Sequence, residues 1–408
     1  MYINRNKKTN KDKILLHGNK RKKERNKTGK INMESSTAVK EKDKDIRDQQ
    51  KALRRKMHNL RAGILAFGIL AVSGLLYAEI SFMKTGEITV EAPEYTVITT
   101  EKDRRAEITA ALNSVNTDSS KTQIDLTIPD YCPVNYTAYS PIAMVYDKTD
   151  GKVLYAKNEN ERCSPASTMK LMTAAVALDL SDKDFIFTAG EELDLVQEGA
   201  SLAKIKKCYS MDRAELIDGI ILKGGSDVSY TAAANIGRLL CDTDDVSSFE
   251  AVSRFVQVMN TTAENIGAKD TNFTNPDGFY DEDNYTTAAD MIRIAVYASK
   301  HEEIMSSASK DYAGGKLYSG QSYEWANTNK MVIESSNDYY EYATGLKTGM
   351  TENSGYCMVA TAERYGHEIV CVVMNCDTAE HRLFDVESLL DISFKYLGDL
   401  SNAPSEAS

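Results

Sequence analysis

Histidine is scarce in this chain, with five in 408 residues, two of them before residue 62. The other three, His301, His367 and His381, lie far from any serine in a nucleophile-elbow setting, and no Gly-x-Ser-x-Gly occurs. A Ser-His-Asp triad is therefore disfavoured. There is no His-Glu-x-x-His, Walker A or Gly-x-Gly-x-x-Gly run, so metalloprotease, nucleotide and dinucleotide readings have no foothold. Among the seven cysteines (Cys132, Cys163, Cys208, Cys241, Cys357, Cys371 and Cys376) no Cys-x-x-Cys pair occurs, which removes support for zinc and thioredoxin-like chemistry. No metal or cofactor is expected. The odd count leaves at least one thiol free or intermolecular. Cys357 and Cys371 fall on strands expected to be neighbours, which allows a bridge; buried reduced thiols serving as small apolar residues are the alternative.

Long apolar runs are equally rare, and the one present coincides with a change in charge. Residues 1–61 hold 21 Lys and Arg against 7 Asp and Glu, a balance of +14, leaving 28 against 53, or −25, for the rest. Between the two lies the uncharged run Ala62–Ala78, AGILAFGILAVSGLLYA. At about 1.5 Å per residue it is near the lower limit for spanning a bilayer. Basic residues before and acidic residues after it match the positive-inside rule, so a membrane span with the acidic bulk exported is expected. A buried core helix explains the charge reversal less well. A cleaved signal peptide is opposed by the long basic head and by Leu76-Tyr77-Ala78, a poor cleavage site. Met33 is an alternative start that leaves enough basic residues to set orientation. A basic tail beside a span meets anionic lipid, so no nucleic-acid partner is expected.

The domain expectations follow: residues 1–61 a basic cytoplasmic tail, 62–78 a transmembrane signal-anchor, 79–138 a polar stalk, 139–400 the body and 401–408 a disordered tail. Within the body, IAMVY and KVLYA around a turn at 147–151 read as a hairpin. Helical periods then dominate: from about Ser167 through LMTAAVALDL, and at 211–222, 228–240, 247–266 and 287–299. Strand character returns only at the end, in 356–362 and 368–375 around Arg364-Tyr365-Gly366. A terminal helix from Asp377 as N-cap to Gly398 as C-cap closes the domain. Strands at both ends with helices between imply an α+β domain with one antiparallel sheet assembled from both termini.

Two short motifs carry chemistry. In Ser167-Thr168-Met169-Lys170 a hydroxyl and an amine three residues apart share one helix face. Serine is weakly nucleophilic unless a base takes its proton, and a buried lysine with a depressed pKa is such a base. In Gly345-Leu346-Lys347-Thr348-Gly349 a cation and a hydroxyl on a strand can hold a carboxylate, and glycine permits close approach of a substrate backbone. Alone, the first is an ordinary surface pair and the second an ordinary turn.

Longer stretches, in order, decide between these readings: IAMVYDKTDGKVLYAKNENERCSPASTMKLMTA, ELIDGIILKGGSDVSYTAAANIG, NFTNPDGFYDEDNYTTAADM, NTNK and GLKTGMTENSGYCMVATA. From roughly Pro141 to Leu397 the chain resembles the D-alanyl-D-alanine carboxypeptidases, the low-molecular-weight penicillin-binding proteins. The resemblance implies a penicillin-binding/β-lactamase-like fold and an acyl-enzyme mechanism. Ser167 would attack the penultimate D-alanine carbonyl of a peptidoglycan stem peptide, and Lys170 would take its proton. The N–H groups of Ser167 and Met350 would form the oxyanion hole. Lys347 and Thr348, with Gly349 beside them, would bind the terminal carboxylate. β-Lactam antibiotics would be trapped as acyl-enzymes. The N-terminal span would anchor the enzyme, in place of a C-terminal amphipathic helix.

One departure matters. Where the family has Ser-Gly-Asn followed by Asp-Ala, this chain has Gly224-Gly225-Ser226-Asp227-Val228. The relay hydroxyl is missing at 224, and Ser226 stands at the asparagine position, either rescuing the relay or only binding substrate. Asn284 replaces a common histidine, a minor change. Two alternatives follow: a degenerate penicillin-binding protein that binds wall peptide without efficient turnover, and a β-lactamase, which lacks a recognisable deacylating-glutamate loop here.

Overall fold

A computed structural model of the chain describes residue 124, residues 126–129, 132–241, 243 and 245–401. The expected cytoplasmic tail, the span at 62–78, the first part of the stalk and residues 402–408 lie outside the described residues. No helix among those described is long and apolar enough to cross a membrane.

The apolar run Ile142–Asp147 forms β1, buried along its whole length, and Lys152–Lys157 returns beside it as β2. Two further short strands, β3 (Phe187–Thr188) and β4 (Ser210–Met211), pair with each other. A second hairpin, β5 (Tyr312–Lys316) and β6 (Ser322–Ala326), follows the helical region. The chain then forms β7 (Ala343–Thr351), β8 (Gly355–Arg364) and β9 (His367–Cys376). The main sheet has the order β2-β1-β9-β8-β7, with antiparallel neighbours throughout. It is built from both ends of the body, as expected. Tyr365 and Gly366, both at positive φ, make the two-residue turn joining β8 to β9, the connection whose twist suits a hairpin.

Alternation along the strands divides the core in two. Ala143, Val145, Met358, Ala360, Ile369, Cys371 and Val373 face the terminal helix. Ile142, Met144, Val359, Val370, Val372 and Met374 face the helical layer. That layer comprises α1 (Lys170–Asp179), α2 (Arg213–Ile217), α3 (Ser226–Leu239), α4 (Ser248–Asn265), α5 (Ala288–Ala298) and α6 (Glu302–Ser309). The terminal helix, α7, runs Ala379–Ser401.

Several expectations need correction. Strands are not confined to the ends: β5, with sequence YAGGK, is mostly exposed and glycine-rich, so it lacks the apolar alternation that marks a strand. The helix expected at 211–222 is a strand end, a short helix capped by Asp212, and a wide π turn at 218–222. A Cβ at Gly219 would lie 2.9 Å from the Val228 side chain, so this turn packs tightly on α3. The terminal helix is capped by Thr378, whose Oγ1 accepts from the His381 N–H, and it continues through Gly398, which abuts the Tyr365 ring. Cys357 and Cys371 are unbridged: Cys371 lies opposite Ala360 and points to the other face of the sheet.

Packing on the body starts upstream of residue 139. Leu126, Val134 and Ala138 are buried, and the Val134 N–H donates to Leu154 O. Buried Asp385 on α7 holds this entry segment, accepting from Tyr136 Oη, Tyr139 N, Ser140 N and Ser140 Oγ.

Candidate active site

Pro165 precedes a single 3-10 turn, Ala166–Met169, that runs directly into α1. Ser167 therefore sits in this tight turn, just ahead of the expected α-helix. Ala166 has φ +46, a left-handed conformation that costs a non-glycine residue about 1–3 kcal/mol and recurs at functional sites. Two glycines press on the turn. A Cβ at Gly278 (φ +79) would lie 2.0 Å from Ala166 O, and one at Gly349 would lie 2.9 Å from Ser167 N. The glycine of Lys347-Thr348-Gly349 is thus needed for the approach of β7 to the turn itself, before any substrate enters.

α1 is buried from Lys170 to Leu178, and its first residue, Lys170, is fully buried. Lys170 Nζ donates to Ser167 Oγ at 3.0 Å, to Ser226 Oγ at 3.4 Å and to the carbonyl of Asp277. Ser167 Oγ reaches the same carbonyl at 3.5 Å. Burial drives the Lys170 ammonium below the ordinary lysine value, while the carboxylates of Asp277 and Asp227 pull it partly back.

Ser226 opens α3. Its N–H donates to Ser201 O at 2.7 Å. The next residue, Asp227, accepts from Ala203 N, Ile205 N and Val228 N. The only tryptophan, Trp325 on β6, donates from Nε1 to Ala203 O at 3.0 Å. The loop 201–205 is therefore clamped between α3 and the unexpected hairpin, and it fixes the backbone at Ser226.

The third wall is β7, at the edge of the main sheet. Lys347 is buried, with Nζ donating to Thr348 O at 3.1 Å and to Thr328 Oγ1 at 3.4 Å. Thr348 Oγ1 donates to Thr328 Oγ1 at 3.0 Å. Burial, then the charges of Lys170 and Arg382, pushes Lys347 down to about 7. Arg382, on α7, is itself lowered by burial. Met350 is exposed and pairs with Tyr356 in the β7–β8 ladder.

All seven expected site residues, Ser167, Lys170, Ser226, Lys347, Thr348, Gly349 and Met350, fall on these three walls. The Asp277 carbonyl, Thr328 and Arg382 were not anticipated. NPDGFYDEDN and NTNK were visible as long matching stretches, but without roles; nothing in the sequence marked Arg382. Chemically, the group offers a hydroxyl beside a buried amine, and a second buried cation, Lys347, suited to an anion.

The sequence profile of the D-alanyl-D-alanine carboxypeptidases matches residues 133–378. The chain belongs to that family. The D-alanyl-D-alanine carboxypeptidase DacF of Bacillus subtilis is 30% identical over 258 residues, covering 62% of this chain and 61% of the relative. The D-alanyl-D-alanine carboxypeptidase of Streptomyces sp. strain K15 is 28% identical over 257 residues, 60% of this chain and 83% of that one. Among solved structures, the Streptomyces K15 DD-transpeptidase superposes with a TM-score of 0.58 at 26% identity, over 64% of this chain and 99% of its own. Penicillin-binding protein D2 of Listeria monocytogenes, in its ampicillin-bound form, gives 0.51 at 25% identity, over 64% and 100%. The match to DacF thus spans about three-fifths of either chain, so it bears on the body of the family fold.

Proposed function

We propose that the chain is a serine-type D-Ala-D-Ala carboxypeptidase that removes the terminal D-alanine from peptidoglycan stem peptides. The observation that carries this reading is the fully buried Lys170 amine 3.0 Å from Ser167 Oγ. A lysine in that setting is held toward its neutral form and accepts the serine proton as the hydroxyl attacks. The peptide lies along the free edge of β7 as an added strand, its terminal carboxylate held by the Thr348 hydroxyl and by the nearby charge of Lys347, whose third donor stays free. The N–H groups of Ser167 and Met350 receive the oxyanion. D-Alanine leaves and water releases the acyl group; a β-lactam has no departing piece and stays on Ser167. Ser226 orients Lys170. The charge reversal around Ala62–Ala78 supports a single-pass cell-membrane location with the body outside.

Gly224 favours a second reading, a protein that binds wall peptide but turns it over poorly. One experiment separates them: the purified full chain and Ser167→Ala are exposed to a fluorescent penicillin, and D-alanine release from a D-Ala-D-Ala peptide is measured. Ser167-dependent labelling with release establishes the peptidase. Labelling without release supports the second reading, and no labelling refutes the nucleophile assignment.

A further inference from the structure

Gly224 faces Lys347. Beyond its two chain neighbours, the described atoms within 4 Å of where a Cβ at 224 would sit are Lys347 Nζ and Cε, at 3.2 and 3.7 Å. The glycine has φ +73, so the backbone already presents this side toward the lysine. Lys347 Nζ has three donors in its ammonium form. Two go to Thr328 Oγ1 and Thr348 O, leaving one for the space beside Gly224. Ser226 does not fill that space, for its hydroxyl lies against Lys170, on the base side of the site.

Resting on the carboxypeptidase reading, we propose that Lys347 is the general acid of this enzyme, and that a water in the space opened by Gly224 relays its proton to the departing amine. In acylation the Ser167 Oγ–C bond forms and its proton moves to neutral Lys170. The C–N bond breaks as the relay water gives a proton to the D-alanine nitrogen and takes one from the Lys347 ammonium. In deacylation a second water attacks the acyl carbon and gives a proton through the relay to the Lys347 amine. The Ser167 Oγ–C bond breaks as Lys170 returns its proton to Ser167. Both lysines end as they began, and the sum is hydrolysis.

The charges around Lys347 suit this order. The charges of Lys170 and Arg382 both disfavour its ammonium, so a charged Lys170 makes its proton easier to release. Proton uptake by Lys170 in the first half of acylation therefore primes Lys347 for the second.

The test compares full-length wild type, Gly224→Ala and Gly224→Ser on two substrates with the same D-alanyl acyl group, one an amide that releases D-alanine and one a thioester that releases its sulfur analogue, D-2-sulfanylpropanoate. Alanine and serine impose the same backbone demand at φ +73, and only serine carries a hydroxyl. A thiol, with a pKa of about 8.5, leaves without protonation, whereas an amine does not. Gly224→Ala is expected to lose roughly 10²-fold in amide turnover while keeping most thioester turnover, and Gly224→Ser to recover much of the amide loss. Equal losses on both substrates in Gly224→Ala, or amide turnover at the wild-type level, overturn the relay. If Gly224→Ala does not fold, Lys347→Arg, which keeps the charge but does not yield its proton, must show the same amide-selective loss; a uniform loss overturns the proposal. A wild type that cleaves neither substrate refutes the carboxypeptidase reading itself.

Discussion

Replacing Lys347 by methionine should stabilise the protein at neutral and acid pH while weakening its hold on carboxylates. In the folded chain this buried ammonium titrates at about 7 against an ordinary 10.5. Between those values the unfolded chain binds the proton that the folded chain has lost. Wild-type stability contributed by this group therefore rises with pH from about 7 toward 10.5, and is lowest below 7, where the folded state holds a buried charge. Three and a half units at 1.36 kcal/mol each set a ceiling of about 5 kcal/mol on that cost. Exchanges of buried ions for apolar residues of similar volume recover about 1–4 kcal/mol. Methionine has a similar length and no charge, so Lys347→Met should exceed wild type by an amount in that range at pH 6. The advantage should shrink by about 1.4 kcal/mol per pH unit above 7. Urea unfolding of both proteins from pH 6 to 9.5 measures it, and taking the difference cancels the titration of groups remote from Lys347. A flat difference across that range, or a variant less stable than wild type at pH 6, would refute the reasoning.

Other perturbations test the remaining walls. Asp385→Ala orphans four donors from the entry segment, two of them on buried Ser140, and should cost about 3 kcal/mol in denaturant unfolding. Gly349→Ala places a carbon 2.9 Å from Ser167 N and should abolish penicillin labelling with a native circular dichroism spectrum. Trp325→Phe removes the bond to Ala203 O, and should cost about 1 kcal/mol and slow D-alanine release more than it weakens peptide binding.

What the sequence revealed and concealed follows from where each signal resides. The Ser167–Lys170 pair was legible because three residues along a helical turn bring side chains to one face. β1 and the β8–β9 hairpin were legible because apolar runs and a turn-forming Tyr365-Gly366 mark them. The β5–β6 hairpin was hidden because Gly314 and Gly315 carry no side chains to alternate, and its one strong contact, Trp325 to Ala203, crosses from a distant part of the chain. The Asp277 carbonyl was hidden for a different reason: any residue has one, and only the turn held by Asn275 and Gly278 aims it at Lys170. Arg382 acts on Lys347 only through its charge, from a place over the Tyr356 ring on the terminal helix, a relation set by tertiary packing alone.

The missing hydroxyl at 224 was visible as a departure, yet its consequence depended on which way that position faces. Had Gly224 faced Lys170, Ser226 could have taken over, since its hydroxyl already lies 3.4 Å from that amine. Facing Lys347 instead, the glycine leaves base and acid sides of the site served by different groups: a serine fixed by the α3 N-terminus on one, and an ammonium with a free donor on the other. A discarded site has no reason to keep two lysines buried at such a cost in stability. Their retention, together with the strained Ala166 and two glycines pressed against the nucleophile turn, argues that the site is still maintained for chemistry.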